Sequence, residues 1–337
     1  MTTNNAPAAA GGLKLGTTLF SFTNEYHSRA WSFEDLIARV AELGLGPGLE
    51  IVGFQSIRGF PAVSDAFAER FRELMAIHQL EPSCLAVNAD AAIRRGQMMS
   101  VDEAVAYHIP QLEAAAKLGF PVVRLQFMLQ PEAVRRLVPL AEKLGLKMGP
   151  EIHAPLTVES PPVMAFREMF DKVNSPSLGF IPDFGASALT LPASYLENLR
   201  SQGIPEHLLQ LALEVWHCKR DANWKREEFA RRVAPFKADA TIVSALSVMF
   251  AILSSQDIDA WKQIMPQVIH IHGKFYDFDA DGNETSIPYG QLLPLFVEGG
   301  YQGYMSSEWE GSLYSRADAF EMVRKHHALA RRILQRA

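Results

Sequence analysis

The chain has 337 residues, of which 48% are apolar and 21% charged, and its net charge is −6. That much apolar residue builds a large core and excludes disorder over most of the length, and the size suits one large α/β domain, since barrels of about 250 residues plus insertions form single domains. The acidic balance excludes a broad basic field for nucleic acid or an anionic membrane, and two distant cysteines, Cys84 and Cys218, exclude a disulfide framework and make a reducing cytoplasm the expectation.

Residues 1–12 are small and polar, without a basic or apolar leader segment, and are read as a flexible N-terminal tail. A first strand is predicted over 14–20 (KLGTTLF), then a helix over 33–43 capped by Ser32 and stopped at Gly44. A second strand follows over 48–54 (GLEIVGF), with its helix near 64–78. The third strand is 83–88 (SCLAVN). Ser100 and Glu103 form a capping-box pair for a helix that Gly119 stops. The fourth strand, 121–128 (PVVRLQFM), precedes a helix over 131–144 stopped by Gly145. The fifth is 147–153 (KMGPEIH), with a helix over 162–173, and the sixth is 178–183 (LGFIPD). The seventh is 268–275 (VIHIHGKF) and the eighth 304–308 (YMSSE), before a last helix capped by Ser315. The most apolar run, 240–254, is too short for the roughly 20 residues of a membrane span and is read as a buried helix.

Eight strand–helix units predict an α/β fold, a (β/α)8 barrel over 13–337. The open doubly wound sheet is disfavoured because no Gly-rich phosphate turn follows an early strand. One unit is oversized: Asp183 and His272 are 89 positions apart, against about 30 for an ordinary barrel unit. The excess, about 188–265, reads as a helical insertion with segments near 193–201, 206–217, 224–233 and 240–253. Such an insertion either covers the mouth or docks a partner, or only thickens the helical layer.

Barrel chemistry collects at strand C-termini. The last four strands each end in a metal-ligand type: Glu151 in GPEIHAP, Asp183 in IPDFGAS, His272 in VIHIHGKF and Glu308 in SSEWEG, spaced 32, 89 and 36 positions apart. Singly, each could be a helix cap or a surface charge. Together, three carboxylates and one imidazole suit Mn²⁺, Mg²⁺ or Co²⁺ better than a thiol-preferring metal. Residues two apart share a strand face. His153 therefore lies beside Glu151, one step too far out to ligate, as a general base or as a group that orients a carboxylate. His270 lies deeper and is read as a core histidine. Lys274 is a candidate for a substrate oxygen or an enolate, or an ordinary exposed lysine. Glu310 shares a face with Glu308. Arg124 and Gln126 point one way from the fourth strand as further candidate substrate contacts. Phe20, Phe22, Tyr26, Phe54, Phe127, Phe184, Phe275, Tyr276 and Trp309 suggest an aromatic mouth for a substrate with apolar surface, or core packing one by one.

These strand-end residues resemble those of the xylose-isomerase-like barrels, the sugar phosphate isomerases and ketose 3-epimerases, over about 13–334. In that resemblance the second histidine of His-x-His is the ligand, which selects His272 over His270. A narrower resemblance rests on GTTLFSFTNEY, GFQSIRGFP, EIHAP, PDFGAS and the long insertion. It is to the alpha subunits of bacterial C-glycoside deglycosidases. The resemblance implies a carbon–carbon lyase acting on 3-oxo-C-glycosides, by removal of the sugar C2 proton and β-elimination of the aglycone from C1. It implies a divalent ion, Mn²⁺ first, on Glu151, Asp183, His272 and Glu308, with His153 taking the C2 proton. It also implies a small beta subunit as partner in a hetero-oligomer. The alternative is a sugar isomerase or epimerase in which Glu151 and Glu308 work as an acid–base pair. Against it stands the lack of an arginine soon after His272. Action on abasic DNA is disfavoured by the net charge of −6, and a barrel without catalysis by the complete ligand set.

Overall fold

A computed structural model describes residues 12–89, 94 and 96–336. Apart from Gly12, the tail expected over 1–12 lies outside them. Eight strands form one sheet: β1 Leu13–Thr18, β2 Gly48–Val52, β3 Glu81–Ala86, β4 Val122–Leu125, β5 Lys147–Ile152, β6 Ile181–Pro182, β7 Ile271–Phe275 and β8 Gly303–Trp309. Their order is β6-β5-β4-β3-β2-β1-β8-β7, and every pairing is parallel. The ends meet through the parallel bridges Phe180↔Val268 and Asp183↔His272, which bring the sheet round into a nearly closed (β/α)8 barrel.

Local sequence accounts for the units. Apolar strand residues such as Ile51, Val123, Met148, Ile271 and Met305 are fully buried. The helix Phe33–Glu42 turns Leu36, Ile37 and Val40 inward, and the Ser32–Asp35 capping box opens it. The same device, Ser100–Glu103, opens Val101–Leu118, and Gly119 ends it at φ 87°, a left-handed value glycine adopts without a Cβ clash. Gly149 of β5 has a packing reason instead: a Cβ there would lie 1.6 Å from the Gly179 carbonyl oxygen. The two glycines let the backbones of β5 and the run into β6 approach.

Three boundaries differ from expectation. The first strand stops at Thr18, whose Oγ1 accepts from Phe20 N and starts a 3₁₀ turn, Leu19–Phe22. The sixth strand shrinks to Ile181–Pro182, because its flanks bond by single bridges, Leu178 to Met148 and Phe180 to Val268, and Pro182 has no N–H to give. The last helix, Ala319–Leu334, is capped by Asp318 rather than Ser315, which caps only a local turn through Ala317 N.

Between β6 and β7 run the helices Ala193–Ser201, Glu206–Trp216, Ala222–Val233, Ala240–Ser247 and Met249–Ile252. The helix expected over 240–253 is interrupted at Val248. Trp216, Phe229 and Phe250 are buried within this layer. Among the described residues no helix is long and apolar enough to cross a membrane.

Candidate active site

The parallel register carries the acidic and histidine residues to one end of the barrel. His272 of β7 lies beside Ser306, and Lys274 beside Glu308. Glu151 lies beside Ile181, and Asp183 bridges to His272. One ligand atom from each of Glu151, His272 and Glu308 lies within 4.8 Å of the others. His272 Nδ1 is 2.5 Å from Glu151 Oε1 and 3.6 Å from Glu308 Oε2. Asp183 borders the same space but is engaged differently. Its Oδ1 accepts from Gly185 N at 2.8 Å, and its Oδ2 lies 2.5 Å from Lys274 Nζ.

Lys274 is not an exposed lysine: it is fully buried, and its Nζ also lies 3.1 Å from Glu310 Oε1 and 3.9 Å from Glu308 Oε2. Arg124 Nε is 3.6 Å from Glu151 Oε2. Gln126 is partly committed, since its Oε1 accepts from Ala89 N at 2.8 Å. His153 donates from Nδ1 to the Ala154 carbonyl at 2.5 Å, and its Nε2 faces Asp183 Oδ2 at 3.7 Å.

Sequence reasoning missed one member. Glu50, in the middle of β2, is buried and meets both histidines, Oε2 to His270 Nε2 and Oε1 to His272 Nε2, each at 2.9 Å. The available signal was an acidic residue inside an otherwise apolar strand, a position that requires a partner. His270, also bonded to Ser306 Oγ, is a satisfied core histidine. The aromatic mouth is largely corrected. Phe22, Phe184, Phe275, Tyr276 and Trp309 are buried packing residues; Phe54 and Phe127 are exposed.

The electrostatics follow from burial of an acid excess. Glu50, Glu151, Asp183, Glu308 and Glu310 crowd two fixed cations, Arg124 and Lys274. Burial pushes the Glu308 carboxyl up to about 8, against the pull of His272 and Lys274. Burial would lower His272, but the Glu50, Glu308 and Glu151 carboxylates hold it well above its ordinary value. Burial would raise Glu151 and Glu50, yet the facing charges, His272 foremost, hold both below the usual carboxylate range. Glu308 Oε2 is buried without a hydrogen-bond partner. An acid excess, an orphaned carboxylate oxygen and one imidazole nitrogen turned to it fit a hard divalent cation.

No protein-family model matches the chain. It is 44% identical, over 95% of both chains, to a 3'-dehydrocarminate deglycosidase alpha subunit of Microbacterium sp.. It is 40% identical to a C-glycoside deglycosidase alpha subunit of Arthrobacter globiformis, over 94% of this chain and 89% of that one. The chain belongs to the C-glycoside deglycosidase alpha-subunit family. Solved structures give the same fold for this deglycosidase relative at low identity. D-psicose 3-epimerase from Clostridium cellulolyticum H10 matches at a TM-score of 0.58 and 13% identity, over 95% of this chain and 99% of that one. The IOLI protein with a bound zinc atom matches at a TM-score of 0.55 and 16% identity, over 96% and 98%. The barrel fold of those two structures is therefore also the fold of this chain.

Proposed function

We propose that this chain is the large subunit of a C-glycoside deglycosidase that cleaves the carbon–carbon glycosidic bond of 3-oxo-C-glycosides. One observation carries the reading: 44% identity over 95% of a 3'-dehydrocarminate deglycosidase alpha subunit. The whole of 13–337 is read as one barrel domain with its helical insertion at about 188–265. A small beta subunit is its partner in a hetero-oligomer, as the relatives' designation as alpha subunits supports. The two free cysteines, Cys84 and Cys218, suit a reducing cytoplasm.

The chemistry begins at sugar C2, whose proton is acidified by the C3 carbonyl. His153 Nε2 takes it, because Nδ1 already donates to the Ala154 carbonyl and only Nε2 has a free lone pair. The C2–H pair moves toward the C3 oxygen. It then returns to form C1=C2 as the C1–aglycone bond breaks, and that bond's electrons leave on the aglycone carbon. The aglycone carbon needs one proton and His153 has gained one, so the histidine balances the reaction by returning it. Lys274, a buried cation, steadies negative charge developing on a sugar oxygen. Arg124 and the free amide of Gln126 bind sugar hydroxyls. Glu151, Asp183, His272 and Glu308 would hold the divalent ion, Mn²⁺ first, with Mg²⁺ or Co²⁺ as substitutes. That ion, when bound, supplies Lewis acidity beside the acidified C2 proton. Glu151 and Glu308 flank the same space and keep an excess of negative charge there for it.

Proton NMR in D₂O on a 3-oxo-C-glucoside, with and without the small subunit, tests the reading. Free aglycone supports it. Deuterium at C2 without aglycone moves the assignment to a sugar isomerase or epimerase.

A further inference from the structure

We infer that Glu50 is a positioning residue, which holds His272 with its proton on Nε2 so that Nδ1 faces Glu151 and Glu308. The inference rests on the metal reading above. Glu50 belongs to β2, across the barrel from β7, and none of the strand ends that carry the proposed ligands includes it. Its two carboxylate oxygens are separately engaged: Oε1 by His272 Nε2 and Oε2 by His270 Nε2, each at 2.9 Å. The two rings stand perpendicular, at 89° with centroids 5.8 Å apart, which lets both Nε2 atoms reach one carboxylate. A carboxylate can only accept, so both histidines donate from Nε2. For His272 this turns Nδ1 toward Glu151 Oε1, 2.5 Å away. A carboxylate behind a ligating imidazole fixes ring orientation and raises ligand basicity, and its loss typically costs ten- to hundredfold in metal affinity. Ser306 shares only the His270 side, at 3.0 Å. It is therefore a matched control at the same depth.

The experiment combines Mn²⁺ calorimetry with NMR of the downfield imidazole protons of metal-free protein, on wild type, Glu50→Gln, Glu50→Asp and Ser306→Ala. Gln replaces one acceptor oxygen by a donor, so both histidines cannot keep an Nε2 proton on residue 50. Wild type is expected to show exchange-protected Nε2–H signals from both His270 and His272, and Glu50→Gln from only one of these two. The Mn²⁺ dissociation constant is expected to rise ten- to hundredfold in Glu50→Gln, less in Glu50→Asp, and under threefold in Ser306→Ala. If Glu50→Gln fails to fold, Glu50→Asp against Ser306→Ala carries the comparison. Unchanged Mn²⁺ affinity in a folded Glu50 variant, or an equal loss in Ser306→Ala, overturns the inference. Wild type that binds no Mn²⁺ overturns the metal reading instead. The His270 and His272 Nε2–H signals, both present in wild type and one of them lost in the variant, would then still establish what Glu50 holds.

Discussion

Lys274 and Asp183 form a fully buried ion pair, Nζ to Oδ2 at 2.5 Å, inside a cluster where carboxylates outnumber cations. Removing one partner of a buried pair typically costs about 3–5 kcal/mol, because it strands the other charge. Lys274→Met should therefore lose about that much stability in metal-free protein. Mn²⁺ should recover part of it, since the stranded acids gain a counter-charge. Scanning calorimetry in EDTA and in Mn²⁺ checks this, with a larger Mn²⁺-dependent rise in Tm expected for the variant than for wild type. Equal rises would show that Lys274 does not share the charge balance of the candidate ligands.

The candidate ligands and the candidate base separate by function. Glu151→Gln and Asp183→Asn should lose bound metal and aglycone release together. His153→Ala should keep the metal and lose turnover by about 10²–10⁴-fold, the range for removal of a general base. Metal content by atomic absorption, next to aglycone release in the presence of the small subunit, distinguishes them. Full activity in His153→Ala would remove the histidine from the mechanism.

The units of the barrel were legible because period-2 strands and capped helices are local signals. Ser32, Ser100 and Gly119 act where local chemistry alone puts them. Boundaries were less legible where tertiary pairing decides them. Residues 178–183 read as a full strand, yet their partners alternate between β5 and the run from Val268 into β7, and two residues remain paired as strand. Asp318 displaced Ser315 as a cap, since both are competent caps and only the docking of the last helix chooses. At the site, Glu151, His272 and Glu308 could be found because ligand types recur at strand ends. Glu50 showed only as an acidic residue inside an apolar strand; what it meets was not legible, because its partners are 220 and 222 residues away and only closure of the barrel brings them across. Lys274 left a substrate-binding reading and an ordinary exposed one open, and a lysine is buried like this only beside acids that the fold delivers from the ends of β6 and β8.

Two glycines should respond oppositely to alanine. A Cβ on Gly149 would meet the Gly179 carbonyl oxygen at 1.6 Å, a backbone atom that cannot rotate away. Gly149→Ala must therefore push β5, which carries Glu151, off its neighbour, at a cost at or above the usual 1–3 kcal/mol of overpacking. Gly290, in the helix Tyr289–Glu298, has open space around its Cβ position. Gly290→Ala should be neutral or stabilising by up to about 1 kcal/mol, through lower entropy of the unfolded chain. Urea midpoints of the two variants check the contrast, and equal destabilisation would contradict the β5–β6 approach.

His327 gives the pH dependence a definite sign. Its Nε2 lies 3.2 Å from both the Gly16 carbonyl and Thr17 Oγ1, its Nδ1 is buried without a partner, and burial, helped by Arg331, lowers it from 6.5 to about 3. The unfolded chain thus binds a proton that the folded chain refuses between those values. The stabilisation is complete above about 6.5 and is lost as pH falls toward about 3. Each pH unit inside that window costs about 1.4 kcal/mol, so about 2 kcal/mol disappears between pH 7.5 and 5. His327→Gln keeps a donor for Gly16 O but cannot titrate. Relative to wild type it should be less stable at pH 7.5 and recover about 2 kcal/mol of the difference at pH 5. Urea unfolding of both proteins in EDTA at the two pH values reads this directly, because the acids common to both cancel in the difference. Parallel losses in the two proteins would mean that His327 accepts its proton in the folded state, and that the C-terminal helix opens to water where it packs on β1.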